Sequence, residues 1–129
     1  MNLVSIRVIT DDIARLVGFY EKVTGVAAVW FTDDFAELGT PNGTLAIGST
    51  RTLGLFQDSG IEPASNRSVI IEFLVDDVDA VHRDLGLAEE PVTMPWGNRS
   101  LLFRDPDGNL VNFFTPVTEA ARAKFGLKS

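Results

Sequence analysis

The sequence contains no cysteine, a single histidine and no long apolar run. Without cysteine, the chain can form no disulfide, no catalytic thiolate and no cysteine-based zinc site. No segment approaches the roughly 18 consecutive apolar residues that cross a membrane. Residues 1–12 also lack the basic start and the apolar core of a signal peptide. We therefore expect a cytoplasmic protein with no membrane partner.

Basic residues are scarce, since 11 Lys and Arg stand against 18 Asp and Glu and give a net charge of −7. Binding to a phosphate backbone requires clustered Lys and Arg, so we expect no nucleic-acid partner. The acidic balance mildly favours a cationic ligand, although its main effect is on solubility. Hydrophobic residues make up 45% of the 129 residues, which is sufficient for the core of one domain.

An internal repeat is the most informative feature of the sequence. Residues 6–13 and 71–78 both have apolar strand character and end in Asp-Asp before an apolar residue. Residues 41–45 and 106–110 share a Pro-Asn-Gly or Pro-Asp-Gly turn, and both pairs of segments are 65 residues apart. The repeat predicts an ungapped duplication of one module.

Each module is predicted to contain a strand, a helix that begins after Asp-Asp and ends at Gly, and further strands joined by turns. Segment 51–57 is also strand-like, so either 44–48 or 51–57 could be the last strand of the first module. The predicted organisation is module 1 at 1–57, a linker at 58–66, module 2 at 67–117 and a C-terminal helix at 118–128. The predicted strands are 3–10, 27–31, 35–39, 44–48, 69–75, 91–94, 99–104 and 109–115, and the predicted helices are 12–24 and 77–85.

Several motifs resemble those of the glyoxalase, bleomycin-resistance and ring-cleaving dioxygenase superfamily, also called vicinal oxygen chelate. They are Gly18-Phe19-Tyr20 with Thr24-Gly25, Val75–Val78, Pro95-Trp96-Gly97 and, most specifically, Phe103–Asn109. The resemblance covers nearly the whole chain. It implies an α+β fold in which two tandem βαβββ modules form an open curved sheet around a cleft, within a single glyoxalase-like domain. Because this superfamily has many functions, the fold alone does not define an activity.

Metal-binding members of the superfamily place one ligand on the first strand and one on the last strand of each module. The corresponding positions here are Ser5, Ile47, Ile70 and Asn112, two of which have no donor atom. The single histidine, His82, falls on the second predicted helix, outside the cleft. The sequence therefore predicts no metal and no other cofactor.

Strand alternation places Ser5, Arg7 and Ile9 in the cleft, together with Glu72, Asn112 and Phe114. Arg7 and Glu72 are repeat equivalents, and they form either a buried ion pair or a polar anchor for a ligand. The loop at Trp96 and Arg99 resembles one that closes over the cleft in relatives, although simple hairpin packing would explain it equally well. Our candidate ligand-binding residues are Ser5, Arg7, Glu72, Trp96, Arg99, Asn112 and Phe114, with Glu72 as the candidate catalytic base.

The sequence favours a metal-free protein that binds a small molecule, either planar or cationic, in the sheet cleft. Two alternatives remain: a metal-independent lyase or isomerase that uses Glu72 or Arg7, and a structural or regulatory domain with a vestigial site. Because relatives complete their clefts within one chain or between two, we also expect a homodimer, either side by side or module-swapped.

Overall fold

A computed structural model describes residues 1–56 and 59–128. Within these residues the fold is α+β, with eight strands in two four-stranded mixed sheets and three α-helices, so the predicted fold class is confirmed. The chain divides into two compact units. The first comprises residues 1–67 together with 105–109, and the second comprises residues 68–104 and the chain from 110 onward. None of the described helices has the length and apolar character required to cross a membrane.

The first unit contains one βαβββ module with the sheet order β1-β4-β3-β2. Strand β1 runs parallel to β4, whereas β3 is antiparallel to both β4 and β2. Its elements are β1 (Ser5–Thr10), α1 (Ile13–Thr24), β2 (Val29–Thr32), β3 (Phe35–Thr40), β4 (Gly43–Ser49) and a 3-10 helix (Thr50–Phe56).

The second unit repeats this topology with the sheet order β5-β8-β7-β6. A C-terminal helix follows the last strand. The elements are β5 (Ile70–Leu74), α2 (Val78–Leu85), β6 (Val92–Thr93), β7 (Asn98–Arg104), β8 (Leu110–Pro116) and α3 (Glu119–Lys124).

Both Asp-Asp pairs cap a helix, as the sequence predicts. The Asp12 carboxylate accepts a hydrogen bond from the Arg15 amide at 3.1 Å, and the Asp77 carboxylate accepts one from the Asp79 amide at 3.1 Å. The helices end at Gly25 and Gly86, which have φ values of 72° and 64°. Because a residue with a side chain rarely adopts a positive φ, these glycines stop the helices where the sequence indicates.

One face of each sheet is covered by its helix. In the first unit, Leu16, Val17 and Tyr20 of α1 are buried on the face that carries Leu38 and Ile47. In the second unit, α2 packs on β7 and β8. The ring of Phe113 on β8 makes edge-to-face contacts with Phe103 on β7 and Phe73 on β5, at centroid distances of 5.0 and 5.4 Å. The opposite faces, which we call the first and second open faces, carry Ser5 and Arg7 in the first unit and Glu72, Asn112 and Phe114 in the second.

Two predicted elements differ from the structure. The strand-like segment 51–57 forms a 3-10 helix as far as Phe56, so β4 is the last strand of the first module; Gln57 and Asp58 lie outside the described residues. The C-terminal helix begins after Thr118 as predicted but ends at Lys124, four residues before the predicted end. Gly126, with a φ of 70°, follows it and is incompatible with a continuing helix.

The loop Asp105–Asn109 belongs to the first unit although it connects two strands of the second. The hydroxyl of Tyr20 donates to Asp105 Oδ2 at 2.6 Å, and Asn109 Nδ2 donates to the same oxygen at 2.8 Å. The amides of Asp107 and Asn109 donate to Oδ1, each at 2.9 Å. Burial, followed by the hydrogen bond to Asp105, raises the pKa of Tyr20 far above its usual value. This motif therefore fixes the loop against α1.

Candidate functional site

Strand pairing places the side chain of Arg7 on the first open face. Arg7 pairs with Ala46, whereas its neighbour Val8 pairs with Ile47 on the face that α1 covers. Gly48 pairs with Ile9, and a side chain at Gly48 would contact both Ile9 and Arg7, so these side chains point to the same face of the sheet. Arg7 therefore lies on the uncovered face of its strand, and its role in ligand binding stays a prediction.

The Arg7 guanidinium lies against two aromatic rings. Its central carbon is 4.3 Å from the centroid of Phe35, on β3, and 5.3 Å from the centroid of Phe56, in the 3-10 helix. Both distances are within the range of cation–π attraction, which uses the charge and the faces of the rings. Among residues 1–56 and 59–128, the ion pairs are Arg51–Asp34 and Arg99–Asp79, so Arg7 has no carboxylate partner there.

A cavity of about 580 Å³ opens beside this arginine. Its described lining consists of residues 7–9, Phe56 and part of the segment 60–66, including Ile61 and Glu62. The end of this segment is bound to the loop Asp105–Asn109, since Asn66 Nδ2 donates to Asn109 Oδ1 at 2.9 Å. The first unit thus combines a concave, partly apolar surface with one charge of each sign.

The second open face carries Glu72 and Asn112, which are paired residues of β5 and β8. Asn112 Nδ2 donates to Glu72 Oε2 at 2.9 Å. Asn112 is only 8% exposed, and its Oδ1 atom is buried with no hydrogen-bond partner among the described residues. The pair therefore presents an oriented carboxylate beside an unsatisfied amide oxygen.

The remaining predicted site residues are distributed between different surfaces. Ser5 is exposed on the first open face. Phe114 lies on the second open face, but it is only 7% exposed because Phe125 packs against it with ring centroids 5.4 Å apart. Whether Arg7 and Glu72 serve one ligand stays a prediction.

Arg99 does not share a face with Asn112. It alternates along β7 with Ser100, so it lies on the side covered by α2, where its Nε donates to both oxygens of Asp79 at 3.1 and 2.9 Å. This hydrogen bond lowers the pKa of Asp79 and raises that of Arg99. The assignment of Arg99 to the ligand cleft is therefore wrong: its partner is a helix residue of its own module.

Trp96 is 66% exposed in the turn before β7. The turn packs against the start of α3, since Gly97 O accepts a hydrogen bond from the Val117 amide at 2.8 Å. Gly97 has a φ of 94°, and a Cβ atom there would lie 2.1 Å from Thr118 Oγ1. Glycine is therefore required at this contact.

The residues at the superfamily's metal positions do not fit a divalent metal. The expected open-face position for Ile47 is wrong, because Ile47 is fully buried under α1 and Ala46 occupies the open face. Neither side chain has a donor atom, nor does Ile70. Within residues 1–56 and 59–128, no three His, Cys, Asp or Glu side chains form a group that could hold a metal ion. The imidazole of His82, on α2, lies 3.0 Å from the carbonyl oxygen of Leu87.

The family model for the glyoxalase/bleomycin resistance protein/dioxygenase superfamily matches residues 2–113. The chain belongs to this superfamily. Among the curated proteins, it is 27% identical over 125 residues to YraH, an uncharacterized protein of Bacillus subtilis, with 88% of this chain and 98% of YraH covered.

Two solved superfamily structures have the same fold. A glyoxalase/bleomycin resistance protein/dioxygenase family enzyme from Burkholderia phytofirmans is 18% identical with a TM-score of 0.77, covering 91% of this chain and 100% of its own. A glyoxalase/bleomycin resistance protein/dioxygenase from Nocardioides is 21% identical with a TM-score of 0.70, covering 92% of this chain and 85% of its own. At these identities the likeness concerns the fold alone.

Sequence reasoning missed the partners of Arg7. Phe35 and Phe56 stand out as aromatic residues, but no local signal links either ring to a cation on β1. The segment 60–66 has the composition of a linker, and its place beside the cavity depends on a tertiary hydrogen bond from Asn66. The face of Arg99 could have been found from its alternation with Leu101 and Phe103, which are core residues.

Proposed function

We propose that this protein binds a small, planar organic molecule on its first open face, and that it does so without a metal ion. The observation that carries the proposal is the position of Arg7, which faces a cavity, contacts two phenyl rings and has no carboxylate partner among the described residues. An arginine of this kind would orient a ligand, while the rings and Ile61 would contact its apolar body.

The size of the cavity supports the same function. Small-molecule sites in proteins usually have volumes of about 300–1,000 Å³, and the cavity beside Arg7 has about 580 Å³. The metal-free part of the proposal rests on donor chemistry, since Ser5, Ala46, Ile70 and Asn112 supply one hydroxyl and one amide.

Amide NMR spectra during a screen of planar fragments test the proposal. We expect shifts at Gly48, Gly60 and Ser65, loss of these shifts in Phe56→Ala, and retention in Leu55→Ala. Leu55 is a matched control because it is an exposed apolar residue of the same 3-10 helix outside the cavity lining. Fragment shifts that survive Phe56→Ala unchanged would contradict the proposal. Failure of every fragment would favour a structural or regulatory domain.

A metal-independent lyase or isomerase is the second candidate, and the Glu72–Asn112 hydrogen bond favours it. A carboxylate that is oriented by a neighbour can act as a general base when a substrate proton comes within hydrogen-bond reach. Turnover of a bound molecule that disappears in Glu72→Gln, with binding retained, would support this activity. Turnover unchanged in Glu72→Gln would exclude Glu72 as the base.

A further inference from the structure

The N–H groups of Arg7 have no acceptor among the described residues. Its guanidinium instead contacts the rings of Phe35 and Phe56, with its central carbon 4.3 and 5.3 Å from their centroids. A cation–π contact involves the charge of the guanidinium and the face of the ring, so it does not use the N–H groups as hydrogen-bond donors. The planar fork of donors thus remains available for a bidentate partner.

Glu62 restricts the charge that such a partner can carry. It lines the same cavity and forms no salt bridge with Arg7. A ligand with one negative charge can be bound by Arg7 at a distance from Glu62. A dianion would be repelled by Glu62 and by the protein's net charge of −7. We therefore expect the cavity to bind a monoanion more tightly than a phosphate dianion.

We infer that the ligand of the first open face is an aromatic monocarboxylate, whose carboxylate is bound by Arg7 and whose ring lies against Phe56 and Ile61. The inference rests on the proposed function and adds the chemical class of the ligand. Arginine binds carboxylates through two parallel hydrogen bonds, which neutral amides cannot reproduce.

Calorimetric titration with naphthoate and naphthamide tests the inference, because the two probes have the same ring and differ in charge. We expect the wild type to bind naphthoate about tenfold or more tightly than naphthamide, as expected for hydrogen bonds to a charged group. Arg7→Gln should remove this preference and leave naphthamide binding within about threefold. Arg7→Lys keeps the charge but not the planar fork, so it should retain part of the preference.

Arg15→Gln is the matched control, since Arg15 is an exposed arginine of α1 that is not among the described lining residues of the cavity. It should behave as the wild type. Equal binding of both probes to the wild type would overturn the inference and leave the proposed function standing. A naphthoate preference that survives in Arg7→Gln, or tighter binding of naphthyl phosphate than of naphthoate, would also overturn it. Binding of neither probe would count against the inference and the proposed function together.

Discussion

Replacement of Tyr20 with Phe should remove one buried hydrogen bond and leave the packing of the ring intact. The hydroxyl donates to Asp105 at 2.6 Å, and both residues are buried. Because a hydrogen bond to a charged group contributes about 1.5–3 kcal/mol, we expect the free energy of unfolding to fall by that amount. For a chain of this size, the melting temperature should fall by roughly 5–12 °C.

The same bond predicts a change in alkaline stability. The folded state holds the pKa of Tyr20 far above its usual value, chiefly by burial and then by the hydrogen bond to Asp105. The unfolded chain releases this proton near pH 10. The stabilisation of the fold by the Tyr20 hydroxyl is therefore complete below about pH 10. Above that pH, the free energy of unfolding declines by about 1.4 kcal/mol per pH unit, because only the unfolded chain loses the proton. Tyr20→Phe should lack this decline.

Urea unfolding followed by circular dichroism, near neutral pH and at about pH 11, measures both effects. Tyrosinate absorbance gives an independent reading because Tyr20 is the sole tyrosine of the chain. Asp105→Asn should cost more than Tyr20→Phe, since its amide would meet donors that now approach a carboxylate oxygen. A change in the free energy of unfolding of less than about 0.5 kcal/mol in Tyr20→Phe, or tyrosinate absorbance from folded protein near pH 10, would refute this role of the hydrogen bond.

Four further predictions concern other parts of the molecule. Gly97→Ala should cost about 3 kcal/mol or more in thermal unfolding, because of its positive φ and the clash with Thr118, and a loss below about 1 kcal/mol would refute this. The hydrogen bonds from Ser49 and then Arg51 lower the pKa of Asp34, so they stabilise the fold above the pKa of the unfolded carboxyl, and this stabilisation is lost as the pH falls through the folded pKa. In Asp34→Asn the melting temperature should therefore decline less steeply in acid, and an unchanged decline would count against these hydrogen bonds. Light scattering should give twice the chain mass of 14.1 kDa, and a monomer mass would exclude the homodimer. Neither a chelator nor zinc should shift the melting temperature, whereas a zinc-dependent rise abolished by Glu72→Ala would restore a metal site.

The sequence was most informative where the signals are local. The Asp-Asp pairs cap both helices and glycines end them, because the first free amides of a helix need acceptors and its end needs a positive φ. Strand alternation predicted that Glu72 and Asn112 share a face, and the two residues pair directly across β5 and β8. These features depend on residues a few positions apart.

The duplication was less regular than the sequence indicates. Arg7 and Glu72 are 65 residues apart, but their strand partners Ala46 and Asn112 are 66 apart. The turn before β8 has five residues, Asp105–Asn109, whereas the turn before β4 has two. A register shift of one residue moves every side chain of a strand to the other face. This shift explains why the sequence placed Ile47, and not Ala46, on the open face. The 3-10 helix after β4 is supported by a local hydrogen bond, which Thr52 Oγ1 donates to the carbonyl oxygen of Ser49.

A crystal structure of the protein with naphthoate tests the central claim most directly. We expect the carboxylate to lie within about 2.7–2.9 Å of the Arg7 guanidinium nitrogens, with the naphthalene ring against Phe56 and Ile61 and no metal ion between ligand and protein. Density for the ligand on the second open face beside Glu72, or a metal ion bridging the carboxylate to Asn112, would contradict it.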